Sequence, residues 1–274
     1  MVTRSVQAPL NFVDAPREMR RVARVREADG SSHHPLRAAT LTITDARTLA
    51  TAPSLSREGF AVIRHETALR DFRDDEELKR VYLPEMAELV RSVTQADAVF
   101  MTPGVGKRIT DARRRALKEV TNAIEGAGFV HLDYSEDSVW EFLTRAIGDA
   151  TVDLKRYARV VTYNLWRALS PPPQDMPLAL CDMRTTSLDD LVTARAEFGE
   201  RNFQFDISLV RHAPRQSWFY FPDLSASELL MFKVWTLKPA QEQAVFHGAF
   251  YDPSCPAGAA PRVSIEARAF ALFE

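Results

Sequence analysis

The chain has 274 residues, of which 46% are apolar and 26% charged, with a net charge of −2. This is globular composition with length for one large domain, and it lacks the basic field that nucleic acid or an anionic membrane would attract. No apolar run approaches the roughly 20 residues of a membrane span, the acidic, discontinuous N-terminus disfavours a targeting peptide, and Cys181 and Cys255 form no CxxC, so a cytoplasmic protein without disulfides is expected.

Residues 1–37 read as an irregular N-terminal segment, and 38–274 as a single domain. EADGSSHHP reads as a polar loop in which His33 and His34 are a solvated pair. AATLTITDAR (38–47) alternates and reads as a strand, as does GFAVIRHE (59–66). EELKRVYLPEMAELVRSVTQAD (76–97) has helical periodicity, with Leu78, Val81, Tyr82, Met86, Leu89, Val90 and Val93 near one face. Pro84 predicts a kink or break within it. DAVFMT (97–102) reads as a short strand, PGVGKRIT (103–110) as a loop without P-loop spacing, and DARRRALKEVTNAI (111–124) as a basic helix. SVWEFLTRAI (138–147) predicts an amphipathic helix capped by Ser135 or Ser138.

From Arg159 the texture changes. RVVTYNLWRAL (159–169), PLALCDM (177–183), FQFDISLVRH (203–212), QSWFYFP (216–222), LLMFKVWTL (229–237), QAVFHGAFYD (243–252) and RVSIEARAFALF (262–273) each read as strands. LLMFKVW could equally be helix, since Ser225 and Glu228 have capping-box spacing. The expected class is α+β, mainly β, with a barrel or sandwich core.

FVHLDYSEDS places His131 and Asp133 two apart, on one face if the segment is a strand. That pair is a weak signal without a second, distant histidine. His247 in AVFHGAF is the best candidate, and His212 is its rival. In RVSIEAR, Arg262, Ser264, Glu266 and Arg268 share one face, and Val263, Ile265, Ala267 and Ala269 the other. Buried arginines need anionic partners. Glu266 can serve one, which leaves the other to receive a bound carboxylate. In YNLWR, Tyr163, Leu165 and Arg167 share a face, and Asn164 and Trp166 the opposite one. Either set could touch substrate, or Trp166 could be core and Arg167 an ion-pair residue. Two histidines and one carboxylate leave three positions of a metal open, the facial triad of non-haem Fe(II) oxygenases. Cys181 reads as a small buried hydrophobe. No hydrolase pairing and no Gly-rich loop for a methyltransferase cofactor stands out.

The ordered series HxD, distal His and Arg-x-Ser resembles the 2-oxoglutarate-dependent oxygenases with a double-stranded β-helix (jelly-roll) core. Five segments resemble a narrower group: TITDARTLATAPSLSREGFAVIRHETALRDFRDDEELKRVYLPE, HLDYSED, YNLWRAL with PLALCD, WFYFPDLSASELLMFKVW, and FHGAFYDPS with PRVSIEAR. These are biosynthetic oxygenases that include the aspergillic acid pathway hydroxylase, a gibberellin desaturase and the small component of the cephamycin 7-alpha-hydroxylase. The resemblance implies Fe(II) held by His131, Asp133 and His247. It implies 2-oxoglutarate held by Arg262 and Ser264, with Arg268 assisting or replacing Arg262, and dioxygen as co-reactant. A small biosynthetic intermediate would be hydroxylated, desaturated or cyclised, with release of succinate and carbon dioxide. Asp133 fills the position that a halogenase of this type leaves to chloride. The implied partner is a small molecule, with neither nucleic acid nor membrane. The competing expectation is a jelly-roll protein that binds a small molecule without chemistry.

Overall fold

The computed structural model describes residues 3–26, 36–109, 123–125, 128–198, 203–238 and 243–274. His33, His34 and most of the expected basic helix 111–124 lie outside them. The strands are β1 (Ser5–Val13), β2 (Arg21–Arg26), β3 (Leu36–Asp45), β4 (Phe60–Arg64), β5 (Ala98–Met101), β6 (Gly106–Ile109), β7 (Ala123–Glu125) and β8 (His131–Leu132). They continue as β9 (Arg159–Ala168), β10 (Leu178–Cys181), β11 (Leu191–Phe198), β12 (Phe203–Val210), β13 (Trp218–Tyr220), β14 (Glu228–Lys238), β15 (His247–Ala249) and β16 (Val263–Phe273). Among the described residues three α-helical stretches interrupt them: α1 (Asp75–Glu77), α2 (Leu83–Thr94) and α3 (Glu136–Ile147).

Among the described residues the strands form two sheets. The nine-stranded major sheet runs β1-β3-β13-β10-β15-β8-β12-β11-β2. The seven-stranded minor sheet runs β4-β14-β9-β16-β6-β7, with β5 also paired to β16. Their inner faces share one core, in which Leu10, Ile43, Leu180 and Trp218 meet Trp166, Phe232 and Phe270. This is α+β and mainly β, as the strand pattern predicts, and the two sheets closed over one core are the double-stranded β-helix that the resemblance implies.

Alternation explains how the minor sheet is buried on both sides. Leu230 and Phe232 of β14, Val160 and Trp166 of β9, and Phe270 and Leu272 of β16 face the core. Leu229, Met231, Val161, Leu165, Ile265 and Ala267 face outward into a second cluster with Tyr82, Met86 and Val90. Each fully buried side chain of this kind contributes about 1.5–3 kcal/mol, so the outer helix covers surface the sheet could not leave wet.

The expected helix 76–97 begins at Asp74, whose carboxylate caps Glu76 and Glu77. It passes through a π-helical turn, Leu78–Tyr82, before Pro84 at the start of α2. Pro84 has no N–H to donate backward, and the wider turn just before it absorbs that missing bond. Ser135, rather than Ser138, is the cap of α3, and the two hydroxyls close a capping box. LLMFKVW is strand, not helix. Glu228 accepts from the Ser225 N–H (3.0 Å) and hydroxyl (3.1 Å), which makes a turn that launches β14.

Other segments differ from the sequence reading. The expected irregular N-terminus carries β1 and β2. Ala8, Leu10 and Phe12 alternate inward, and Pro9 is tolerated because β1 is an edge strand. The expected loop 103–110 contains β6, paired to β16. β11 escapes notice because its inward residues include small Ala194 and Ala196. No helix of the described residues is long and apolar enough to cross a membrane.

Candidate metal centre

β8 is two residues long and lies between β12 and β15. His131 is the direct cross-strand partner of His247. Their rings stand 4.5 Å apart between centroids. Gly248 permits this approach: a Cβ there would lie 3.3 Å from the Phe129 carbonyl oxygen and the Val130 Cα. Asp133 follows at the end of β8, where the chain turns into α3. The Ser135 N–H, donating to the Asp206 carbonyl at 3.2 Å, pins that turn.

Each imidazole Nδ1 lies on the carbonyl two residues before it, His131 on Phe129 (3.0 Å) and His247 on Val245 (3.3 Å). A carbonyl only accepts, so Nδ1 carries the proton and Nε2 presents its lone pair. Such a bond to the second nitrogen fixes ring orientation in metal-binding histidines. Ligand atoms of His131, Asp133 and His247 all lie within 4.8 Å of one another, the one such group among the described residues. His247 Nε2 is 3.8 Å from Asp133 Oδ2.

The protonation states suit a cation. Burial, with repulsion from His247, pushes the His131 imidazolium down to about 4, so the ring is neutral near pH 7. Burial would raise the Asp133 carboxyl, but Arg268 and the two imidazoles hold it well below the usual range. A neutral imidazole and an ionised carboxylate are the forms that bind metal.

β9 and β16 complete the centre from the minor sheet. Asn164 Nδ2 donates to Asp133 Oδ2 (3.1 Å), and Arg268 Nη2 to Asp133 Oδ1 (2.5 Å). Arg268 also bonds Glu266 (2.6 Å), which Arg108 of β6 reaches at 3.1 Å. Arg262 is 2% exposed, and its guanidinium stands 5.8 Å from the centre of the Trp166 ring. It donates to the Ser264 hydroxyl. Its Nε has no partner, and no carboxylate forms a salt bridge with it among the described residues. Burial lowers its pKa to about 10, which still leaves a cation at neutral pH. One cavity joins Arg262 to both histidines, walled by Trp166, Leu178 and Phe232.

Strand alternation separates the remaining candidates. Asn164 and Trp166 face the centre, whereas Tyr163 and Arg167 do not. Tyr163 lies in the outer cluster. Arg167 donates to the Tyr82 hydroxyl (3.4 Å), the His65 carbonyl (3.0 Å) and the Ala226 carbonyl, and pairs with His65 Nδ1 (2.8 Å). His212 packs on Phe12 and is not in the trio. The Cys181 thiol is pushed up to about 12 by burial, which makes it inert. Arg108 and Phe232 line the cavity without having been singled out in the sequence. Arg108 sat in an apparent loop, and Phe232 in an apolar run where nothing distinguishes one aromatic from another.

The family described as oxidoreductase/YMDC permease-like domain matches residues 10–272. The chain is 25% identical over 221 residues to the alpha-ketoglutarate-dependent dioxygenase phiK of Fungal sp., covering 80% of this chain and 79% of that one. It is 26% identical over 242 residues to the alpha-ketoglutarate-dependent dioxygenase tstK of Talaromyces stipitatus, covering 87% and 86%. The structure of the iron and alpha-ketoglutarate-dependent endoperoxidase NvfI has the same fold, with a TM-score of 0.81 at 22% identity over 98% of both chains.

Proposed function

The chain belongs to the oxidoreductase/YMDC permease-like domain family, and we propose that within it the protein oxidises a small intermediate of secondary metabolism as an Fe(II)/2-oxoglutarate-dependent dioxygenase. One observation carries the reading. Two imidazole nitrogens and a carboxylate converge beside a cavity that both histidines line together with the buried Arg262 guanidinium, which has no salt-bridge partner among the described residues. That donor set fits Fe(II), and the cation fits the far carboxylate of 2-oxoglutarate.

His131 and His247 would hold the ion through Nε2, and Asp133 through a carboxylate oxygen. Fe(II), with 2-oxoglutarate and dioxygen, supplies an oxidant for an unreactive C–H bond, and 2-oxoglutarate leaves as succinate and carbon dioxide. Arg262 would bind the distal carboxylate, with Ser264 orienting its guanidinium. Arg268 is already engaged by Asp133 and Glu266, which favours Arg262 as the clamp. Trp166, Leu178 and Phe232 keep water from the cosubstrate and so strengthen the Arg262 contact. Asn164 orients Asp133, and Trp166 is the better placed of the β9 residues to touch a ligand.

The five matching segments support the narrower grouping with the aspergillic acid hydroxylase, the gibberellin desaturase and the cephamycin 7-alpha-hydroxylase small component. Residues 38–274 carry every residue of the proposed site in this reading and act as one oxygenase domain, to whose major sheet β1 and β2 are added. Succinate release is the direct assay. Purified protein with Fe(II), 2-oxoglutarate and air should form succinate, with turnover uncoupled from substrate if none is added. No succinate above an iron-free control, with or without metabolite extracts, would sink the assignment.

A further inference from the structure

Asp133 is where the two sheets meet through polar atoms. It follows β8 of the major sheet, yet both of its oxygens are held from the minor sheet. Arg268 on β16 holds Oδ1 and Asn164 on β9 holds Oδ2. Arg268 and Asn164 are register partners on those adjacent strands. The same Arg268 Nη2 reaches Glu266 Oε1, and Arg108 reaches that oxygen from β6. Gly106, opposite Glu266 in the β6–β16 pair, makes room for it: a Cβ there would stand 2.5 Å from Glu266 Oε1. Asp133, Arg268, Glu266 and Arg108 thus form a continuous chain whose formal charges cancel. Its carboxylates are buried, with Asp133 at 4% and Glu266 at 8% exposure, and its two arginines are half-buried.

The two oxygens of Asp133 are not equivalent. Oδ2 is 3.8 Å from His247 Nε2, and its protein donor is a neutral amide. Oδ1 is held by a guanidinium, and a charge-assisted bond is roughly twice as strong as a neutral one. We propose that Arg268, braced by Glu266, is the positioning residue of the metal carboxylate: it takes Oδ1 and leaves Oδ2 as the single oxygen offered to the ion. The proposal rests on the metal-centre reading above. A carboxylate that binds through one oxygen leaves three positions open on a six-coordinate ion, and one that binds through both leaves two. Asp133 stands just past a two-residue strand, so the backbone alone does not choose between these. Arg268 is therefore assigned to the metal carboxylate and not to the cosubstrate.

The test is a Co(II) titration of the apoprotein, read by affinity and by the visible d–d spectrum. Wild type should bind one ion, and Asp133→Ala should lose tight binding. Arg268→Gln should weaken binding about 10–100-fold, the range for loss of an outer partner of a metal ligand, with shifted d–d bands. Arg268→Lys restores the charge and one donor and should recover part of the affinity. Glu266→Gln should shift the bands in the same direction with a smaller loss. Wild-type affinity and spectrum in folded Arg268→Gln would overturn the positioning role. If that variant does not fold, wild-type behaviour of both Arg268→Lys and Glu266→Gln overturns it. Absence of Co(II) binding by wild type, or equal binding by Asp133→Ala, overturns the metal-centre reading instead.

Discussion

At Arg262 a guanidinium is buried with a hydroxyl donor-acceptor for company and no ion-pair partner among the described residues. Truncating a buried charge that binds a ligand charge costs about 2–5 kcal/mol. Arg262→Ala should therefore raise the 2-oxoglutarate requirement by at least about thirtyfold, measured by succinate yield against cosubstrate concentration. An unchanged requirement, with Arg268→Ala raising it instead, would reverse the clamp assignment. His131 predicts a pH effect. Its folded value of about 4 lies below the ordinary 6.5, so between those values the unfolded chain binds more protons. Apoprotein stability should rise with pH across that window and fall as the medium is acidified from 6.5 toward 4. Urea midpoints at several pH values read this, and His131→Gln should flatten the slope. The grouping of His131, Asp133 and His247 was legible as a pattern, because HxD shares a strand face and His247 sits among small neighbours. Which of Arg262 and Arg268 is left without a carboxylate partner was not legible, since both fall on one face of the alternating run 262–268. The fold spends Arg268 on Asp133, far away in sequence, and on Glu266, two residues along its own strand.

Secondary-structure elements were readable where periodicity was strong. β9, β14 and β16 are long, branched and alternating, and their two faces sort correctly into core and outer cluster. β1 and β6 were hidden by Pro9 and by glycines, residues that signal turns but are tolerated at sheet edges or where a neighbour needs space. Two elements place the centre and can be tested. Gly248→Val should spread β15 from β8 and weaken divalent-metal binding about tenfold or more, because its side chain meets the Phe129 carbonyl and Val130. Metal affinity equal to wild type would show that the β8–β15 approach does not set the ligand spacing. Ser135→Ala removes the α3 cap, which costs about 1 kcal/mol. Thermal unfolding should move down by a few degrees, with metal affinity altered less than by Gly248→Val.

On the scale of the whole molecule, the site is a joint between sheets. The major sheet supplies His131, Asp133 and His247, and the minor sheet supplies Asn164, Trp166, Arg262, Ser264, Glu266 and Arg268. Residues more than a hundred positions apart are brought together by cross-strand register, as His131 and His247 are. A sequence reading can list such residues and their faces, but convergence needs the closure of the two sheets over one core. The double-stranded β-helix supplies that closure, and the minor sheet is stiffened from outside by Tyr82, Met86 and Val90.

The central claim is that the three ligands and Arg262 together seat Fe(II) and 2-oxoglutarate. Its most direct measurement is the anaerobic visible spectrum of the protein with both added. Wild type should show a weak charge-transfer band from cosubstrate chelated to Fe(II), abolished by His247→Ala and demanding more 2-oxoglutarate in Arg262→Ala. No band in wild type, or an equal band in His247→Ala, would contradict it.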